Sequence, residues 1–75
     1  IQFTVGKDAL VSLNIYDIQG RLVSSLVDNS FYSPGSYKIT WVGNNQHGAQ
    51  VPSGMYIYKL VSEHQAVTRK MVLMK

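Results

Sequence analysis

The residues that could carry out chemistry are few, and they fall in predicted turns. The acidic and imidazole side chains are Asp8, Asp17, Asp28, Glu63, His47 and His64. A Ser-His-Asp arrangement could be assembled from Ser53, His47 and one aspartate, because a neighbouring base can activate a hydroxyl as a nucleophile. No nucleophile-elbow motif surrounds Ser53. We therefore interpret these side chains as polar groups of turns and predict no catalytic residue.

A metal site is also poorly indicated. The chain has no cysteine, which excludes disulfides and thiolate zinc sites. One glycine-flanked loop offers oxygen and nitrogen ligands from Asn44, Asn45, Gln46 and His47. Calcium normally binds carboxylates, and this loop has none. We interpret the loop as a turn whose side chains bond their own backbone, and we predict no metal and no cofactor.

The aromatic residues allow a sugar-binding interpretation. A stacking platform for a glycan could be formed by Tyr16, Tyr32, Tyr37, Trp41, Tyr56 and Tyr58. Their spacing favours packing instead. Tyr37, Ile39 and Trp41 share one face of a predicted strand, because they alternate with the polar residues Lys38 and Thr40. Aromatic side chains at such positions commonly fill the gap between two sheets. We therefore predict that Trp41 is largely buried between sheets.

Charge and hydropathy limit the classes of partner. Seven basic and four acidic residues give a net charge of +3, which is mild for a nucleic-acid-binding protein. The longest apolar run is Met71–Met74, far short of the roughly 20 residues that span a membrane. The basic residues cluster late, at Lys59, Arg69, Lys70 and Lys75. They are either solvated residues that protect a strand edge or a patch for an acidic partner, and composition favours the first.

The elements that position these residues are strands. Val11, Leu13 and Ile15 alternate with polar neighbours, and this period of two marks a half-buried strand. The same pattern predicts about seven short antiparallel strands, at about 1–5, 10–17, 21–27, 36–42, 49–51, 55–62 and 66–74. No helix is predicted. The fold class is therefore all-β, an immunoglobulin-like or Greek-key β-sandwich that forms a single domain over residues 1–75.

The sequence makes two specific predictions about these strands. Gly20 and Gly54 are predicted to have positive φ, because each closes a turn beside an apolar strand. The last strand is apolar on both faces: Met71 and Leu73 point one way, and Val72 and Met74 point the other. Such a strand is either covered on both sides or exposed to a partner.

Four segments occur in an order that resembles a known family. They are Val11-Ser-Leu-Asn-Ile-Tyr-Asp-Ile-Gln-Gly-Arg-Leu-Val23, Pro34-Gly-Ser-Tyr37 with Trp41, Gly48 through Pro52-Ser-Gly-Met-Tyr-Ile-Tyr58, and Thr68-Arg-Lys-Met-Val-Leu-Met-Lys75. Together they resemble the type A C-terminal sorting domain of type IX secretion, which is itself similar to the immunoglobulin-like domain of flagellar hook-capping proteins. One departure is Val42, where the family usually has an acidic residue.

The resemblance implies a sandwich excised from the end of a larger secreted protein. Such a domain is recognised by the type IX outer-membrane translocon of certain Gram-negative bacteria and removed by a sortase-like peptidase. The upstream cargo, having passed through the periplasm, is then released or attached to the cell surface. The fold-shaping positions would be Gly20, Gly35, Trp41, Gly54, Tyr56 and Tyr58. Much of the export signal would lie in Lys70, Met71, Val72, Leu73, Met74 and Lys75.

Two other functions stay open at this point. The first is a structural immunoglobulin-like module, such as a hook-capping or spacer domain. The second is an accessory carbohydrate-binding module of a secreted enzyme. The parent gene would discriminate between sorting and spacing, because a sorting domain is expected at the end of its coding sequence.

Overall fold

The computed structural model describes residues 1–63 and 65–74, so His64 and Lys75 lie outside the described residues. Within these ranges the chain forms only strands: β1 (Gln2–Val5), β2 (Ala9–Asp17), β3 (Leu22–Tyr32), β4 (Gly35–Lys38), β5 (Gly54–Ser62) and β6 (Ala66–Leu73). They form a four-stranded antiparallel sheet in the order β3-β2-β5-β6 and a two-stranded antiparallel sheet of β1 and β4. This arrangement confirms the predicted all-β, immunoglobulin-like sandwich.

The described residues contain six strands, not seven, because the predicted strand at 49–51 is wrong. This segment contributes one isolated bridge, between Asn44 and Gln50. The side-chain oxygen of Asn45 accepts hydrogen bonds from the backbone N–H groups of His47 and Ala49, at 2.9 and 3.0 Å. These local bonds offer the backbone an alternative to a sheet ladder, so the segment stays a loop.

Two strand boundaries also differ from the prediction. Strand β3 continues to Tyr32, through the stretch predicted to be a connection. Asn29 adopts a φ of 48° and donates its backbone N–H to the Ser12 hydroxyl at 3.0 Å, so a bulge keeps the strand beside β2. Strand β4 ends at Lys38 instead of residue 42. Farther on, the Trp41 indole N–H donates to the Asn44 carbonyl oxygen at 2.9 Å, which holds that segment as a loop.

The core lies between the two sheets and centres on β2. Val11, Leu13 and Ile15 are each at most 1% exposed, so the alternation in the sequence reports the buried face correctly. Phe3 and Val5 of β1 close over this face from the smaller sheet. The cluster is completed by partly buried side chains from four other places in the chain, Tyr32, Tyr37, Ile39 and Leu60. This packing fixes which face of each strand of the large sheet points outward.

Candidate functional site

Strand β6 lies at the edge of the four-stranded sheet and pairs with β5 alone. Its register places Met71 opposite Tyr56, which is buried, and Leu73 opposite Gly54. Successive residues of a strand face opposite sides of the sheet. Met71 and Leu73 are therefore on the core side, where both are half-buried. The strand's two apolar faces thus have different surroundings.

The inner face of β6 is packed by the loop that follows β4. A β-carbon added at Gly43 would lie 3.0 Å from the Leu73 Cδ2 atom, so the backbone of the loop is close against this side chain. Gly43 has a φ of 79°, which glycine adopts far more readily than other residues. The Leu73 side chain therefore packs inside the sandwich.

The outer face of β6 is free of such packing. Lys70 is exposed, Val72 is 65% exposed, and Met74, which follows the strand, is 84% exposed. Of the six predicted recognition residues, the structure therefore leaves these three accessible and half-buries Met71 and Leu73. Lys75 lies outside the described residues. The division between the two faces is geometrical, and the recognition role of the segment stays a prediction.

The predicted fold-shaping glycines precede two similar tyrosine contacts. Gly35 and Gly54 have φ values of 154° and 155°, and each stands two residues before a tyrosine. The Tyr37 hydroxyl donates to the Ser33 carbonyl oxygen at 2.6 Å, and the Tyr56 hydroxyl donates to that of Pro52 at 2.6 Å. Both contacts resemble the tyrosine corner of immunoglobulin-like sandwiches. The signal for this repeat is the Gly-x-Tyr spacing, which the strand pattern alone does not report.

Trp41 is partly buried, but it does not lie on a strand as its spacing predicted. It follows β4 in a loop, and its ring packs edge-on against Tyr56 with 5.1 Å between centroids. A separate cluster joins Phe3, Tyr32 and Tyr37. Four of the six residues of the glycan interpretation, Tyr32, Tyr37, Trp41 and Tyr56, therefore pack on other rings in two groups, whereas Tyr16 and Tyr58 take no part in these contacts.

The turn between β2 and β3 is organised by the Asp17 carboxylate. This group accepts hydrogen bonds from the backbone N–H groups of Arg21 and Gln19 and from the Arg21 Nε, each at 2.9 Å. The backbone bond from Arg21 is the largest cause that lowers the pKa of Asp17 below its ordinary value. Gly20 completes the turn with a φ of 86°. Gly20 and Gly54 thus both have the positive φ that was predicted.

The described residues hold no clustered reactive groups. Residues 1–63 and 65–74 contain no set of three or more His, Asp or Glu side chains placed to hold a metal ion. Asp17, which lines the same surface depression as His47, accepts hydrogen bonds within its own turn. A cleft of about 280 Å³ opens between the sheets beside Val5, Val11 and Leu60, and more open surface depressions of about 410 Å³ lie beside Phe3 and beside Trp41. Nor does this part of the chain include a helix long and apolar enough to cross a membrane.

Comparison with known families gives one result. The family described as FlgD Ig-like domain matches residues 1–66, which cover β1 to β5 and the first residue of β6. The match supports the hook-capping-related, immunoglobulin-like part of the resemblance. The type IX sorting assignment and the role of residues 70–75 stay predictions. No curated protein and no solved structure matches the chain significantly.

Proposed function

Since the chain belongs to the FlgD Ig-like domain family, we propose that it is a non-catalytic immunoglobulin-like module used as a sorting domain by the type IX outer-membrane secretion system. In this role it directs a covalently linked cargo through the periplasm to the outside of a Gram-negative cell. A sortase-like peptidase then removes the domain, and the cargo is released or attached to the cell surface.

The observation that carries the proposal is the position of β6. This strand is at a sheet edge, and Lys70, Val72 and Met74 are exposed on or beside it. A strand that is already ordered in a sandwich offers its side chains to a receptor at little further cost in conformational entropy. The exposed lysine also provides electrostatic attraction to an acidic receptor surface. These properties are what a folded export signal requires.

Export of a fusion protein tests this proposal. The chain is joined to the C-terminus of a periplasmic reporter in a host that has type IX secretion, and the intact chain is compared with one that lacks residues 70–75. The intact fusion should leave the cell, and the deleted one should accumulate in the periplasm. A Lys70→Ala, Lys75→Ala variant tests the charge, because Lys70 is exposed and exposed charges contribute little to stability. Normal export of the deleted fusion would refute the proposal.

A structural module is the second candidate, and a specific observation favours it. The family match covers β1 to β5, the part that contains both tyrosine–carbonyl contacts. A hook-capping or spacer domain needs that rigid part and makes no demand on the exposed residues of β6. If the chain is such a module, deletion of residues 70–75 should not change the export of the fusion.

A further inference from the structure

The outer face of the four-stranded sheet carries an apolar area at one end. The register places Leu22 opposite Tyr16, Tyr16 opposite Ile57, and Met55 opposite Val72. We call these five residues the outer patch. Side chains directly opposite each other on neighbouring strands have Cβ atoms about 4.5–5.5 Å apart. The outer patch therefore consists of two adjoining rows, which meet along β5 because Met55 and Ile57 lie two residues apart on the same face of that strand.

The outer patch is well exposed for an apolar surface. Leu22, Met55 and Val72 are 47%, 49% and 65% exposed, and Tyr16 and Ile57 are half-buried. A sheet with one solvated face normally alternates apolar residues inward with polar residues outward. Contiguous exposed apolar residues commonly mark an interaction site. The outer patch thus differs from the adjoining row of the same face, which is formed by the polar residues Asn14, Lys59 and Thr68.

Those neighbouring rows define the chemistry around the outer patch. Lys70 stands opposite Ile57, and Lys59 stands between Asn14 and Thr68 in the next row. Among the described residues, the outward positions of β2, β5 and β6 carry both lysines and no carboxylate, and the one acidic residue of β3 is the exposed Asp28, beside the bulge at Asn29. A second copy of the chain would bring like charges together. A complementary surface would present apolar side chains flanked by carboxylates.

We infer that the outer patch is the docking surface for a protein partner whose contact area is apolar and flanked by carboxylates, and that the secretion machinery reads this face of β6. The inference rests on the proposed function. The inner face is already engaged, because Leu73 packs against Gly43. Tyrosine and methionine are enriched in protein interfaces, and Tyr16 and Met55 supply both. The identity of the exposed residues therefore favours a protein partner over a lipid surface.

Matched pairs of substitutions test the inference in the export assay. Met55→Ser with Val72→Ser removes one cross-strand pair of the outer patch. Leu10→Ser with Phe31→Ser removes another exposed cross-strand pair, at the far end of the same face. Circular dichroism and thermal melting verify that both fusions fold. Export of the first variant should fall about tenfold, as expected when an interface anchor is truncated. Export of the second should stay within about twofold of the intact chain.

A second comparison in the export assay tests the charges. The Lys59→Glu, Lys70→Glu variant is compared with the Lys59→Gln, Lys70→Gln variant. Export should fall more for glutamate than for glutamine, because glutamate repels a carboxylate-flanked partner. If folded Met55→Ser, Val72→Ser fusions are exported normally while deletion of residues 70–75 still blocks export, the inference fails and the proposed function stands. If the deletion is exported normally, the proposed function itself fails.

Direct measurements on the purified chain test two other occupants of the outer patch, a lipid surface and a second copy of the chain. Binding to phosphatidylglycerol vesicles that is lost in the Lys59→Glu, Lys70→Glu variant would replace the protein partner with a lipid surface. A dimer in sedimentation that dissociates on Met55→Ser with Val72→Ser would replace it with a second copy. A monomer that does not bind these vesicles supports the inference.

Discussion

The hydroxyl of Tyr56 donates a hydrogen bond to the carbonyl oxygen of Pro52, with 2.6 Å between the two oxygens. The bond joins the buried face of β5 to the loop that leads into the strand, across Gly54 with its φ of 155°. Tyr37 bonds Ser33 in the same way at the start of β4. Each contact ties the start of a strand to the loop that leads into it.

Removal of the Tyr56 hydroxyl should weaken the fold without a change in packing volume. We expect Tyr56→Phe to cost about 1 kcal/mol of unfolding free energy, the net value of one hydrogen bond. For a domain of this size that lowers the melting temperature by roughly 4–8 °C. Tyr58→Phe is the matched control on the same strand face, because no hydrogen bond of the Tyr58 hydroxyl is seen among the described residues. Equal melting temperatures for the two variants would contradict this role of Tyr56.

The turn glycine Gly20 should resist substitution for a backbone reason alone. A β-carbon at Gly20 would meet no atom within 4 Å, but φ is 86°. Gly20→Ala should therefore cost about 1–2 kcal/mol, the penalty of a left-handed conformation. Gly6 has equally open space and no positive φ, so Gly6→Ala should be neutral or stabilise by about 0.4–1 kcal/mol. Urea unfolding of both variants measures the difference, and similar effects at the two sites would refute the explanation.

The half-buried position of Trp41 lowers the expected cost of its removal. We expect Trp41→Ala to destabilise the fold by about 2–3 kcal/mol, less than the roughly 3–5 kcal/mol for a fully buried aromatic side chain. Trp41→Phe keeps an aromatic ring against Tyr56 but loses the indole bond to Asn44, so it should cost about 1 kcal/mol. Chemical denaturation followed by circular dichroism gives both values. A Trp41→Ala variant as stable as the intact chain would show that this contact does not hold the loop.

Acid should remove the contribution of the Asp17 turn. The folded-state pKa of Asp17 is lowered, chiefly by the backbone bond from Arg21. Its stabilising effect is therefore fully present above the ordinary pKa of 3.8 and is lost as the pH falls through the lower, folded-state value. Asp17→Asn should lower the melting temperature at neutral pH, and the difference from the intact chain should shrink in strong acid.

The control for this measurement is Asp28→Asn, which removes one negative charge from an exposed position outside the turn. An Asp17→Asn difference that stays constant from neutral pH to strong acid would show that the charged carboxylate does not hold the turn.

The sequence predicted the parts of the fold that depend on alternation. Val11, Leu13 and Ile15 reveal their buried face directly, because the side-chain period of a strand is two. Alternation could not predict the bulge at Asn29 or the loop at Trp41. The first involves a bond to the Ser12 hydroxyl on a neighbouring strand, and the second a bond from the Trp41 indole to the Asn44 carbonyl oxygen, and hydropathy alternation reports neither. The extra length of β3 and the early end of β4 follow from such bonds.

The candidate site was predicted only as a segment. Residues 70–75 could be chosen from their apolar character, but the face that is exposed depends on the pairing of β6 with β5. Met55 and Val72 are far apart in the sequence and adjacent in the sheet, so the outer patch emerges only when the register is known. The family match, which ends at residue 66, does not assign this face.

The most direct test of the central claim compares one fusion in two hosts. The intact chain, joined to the C-terminus of a periplasmic reporter, is expressed in a strain with type IX secretion and in the same strain without its translocon. We predict that the reporter appears in the medium or on the surface of the first strain and stays in the periplasm of the second. Periplasmic retention in both strains would contradict the claim that this domain is a sorting signal.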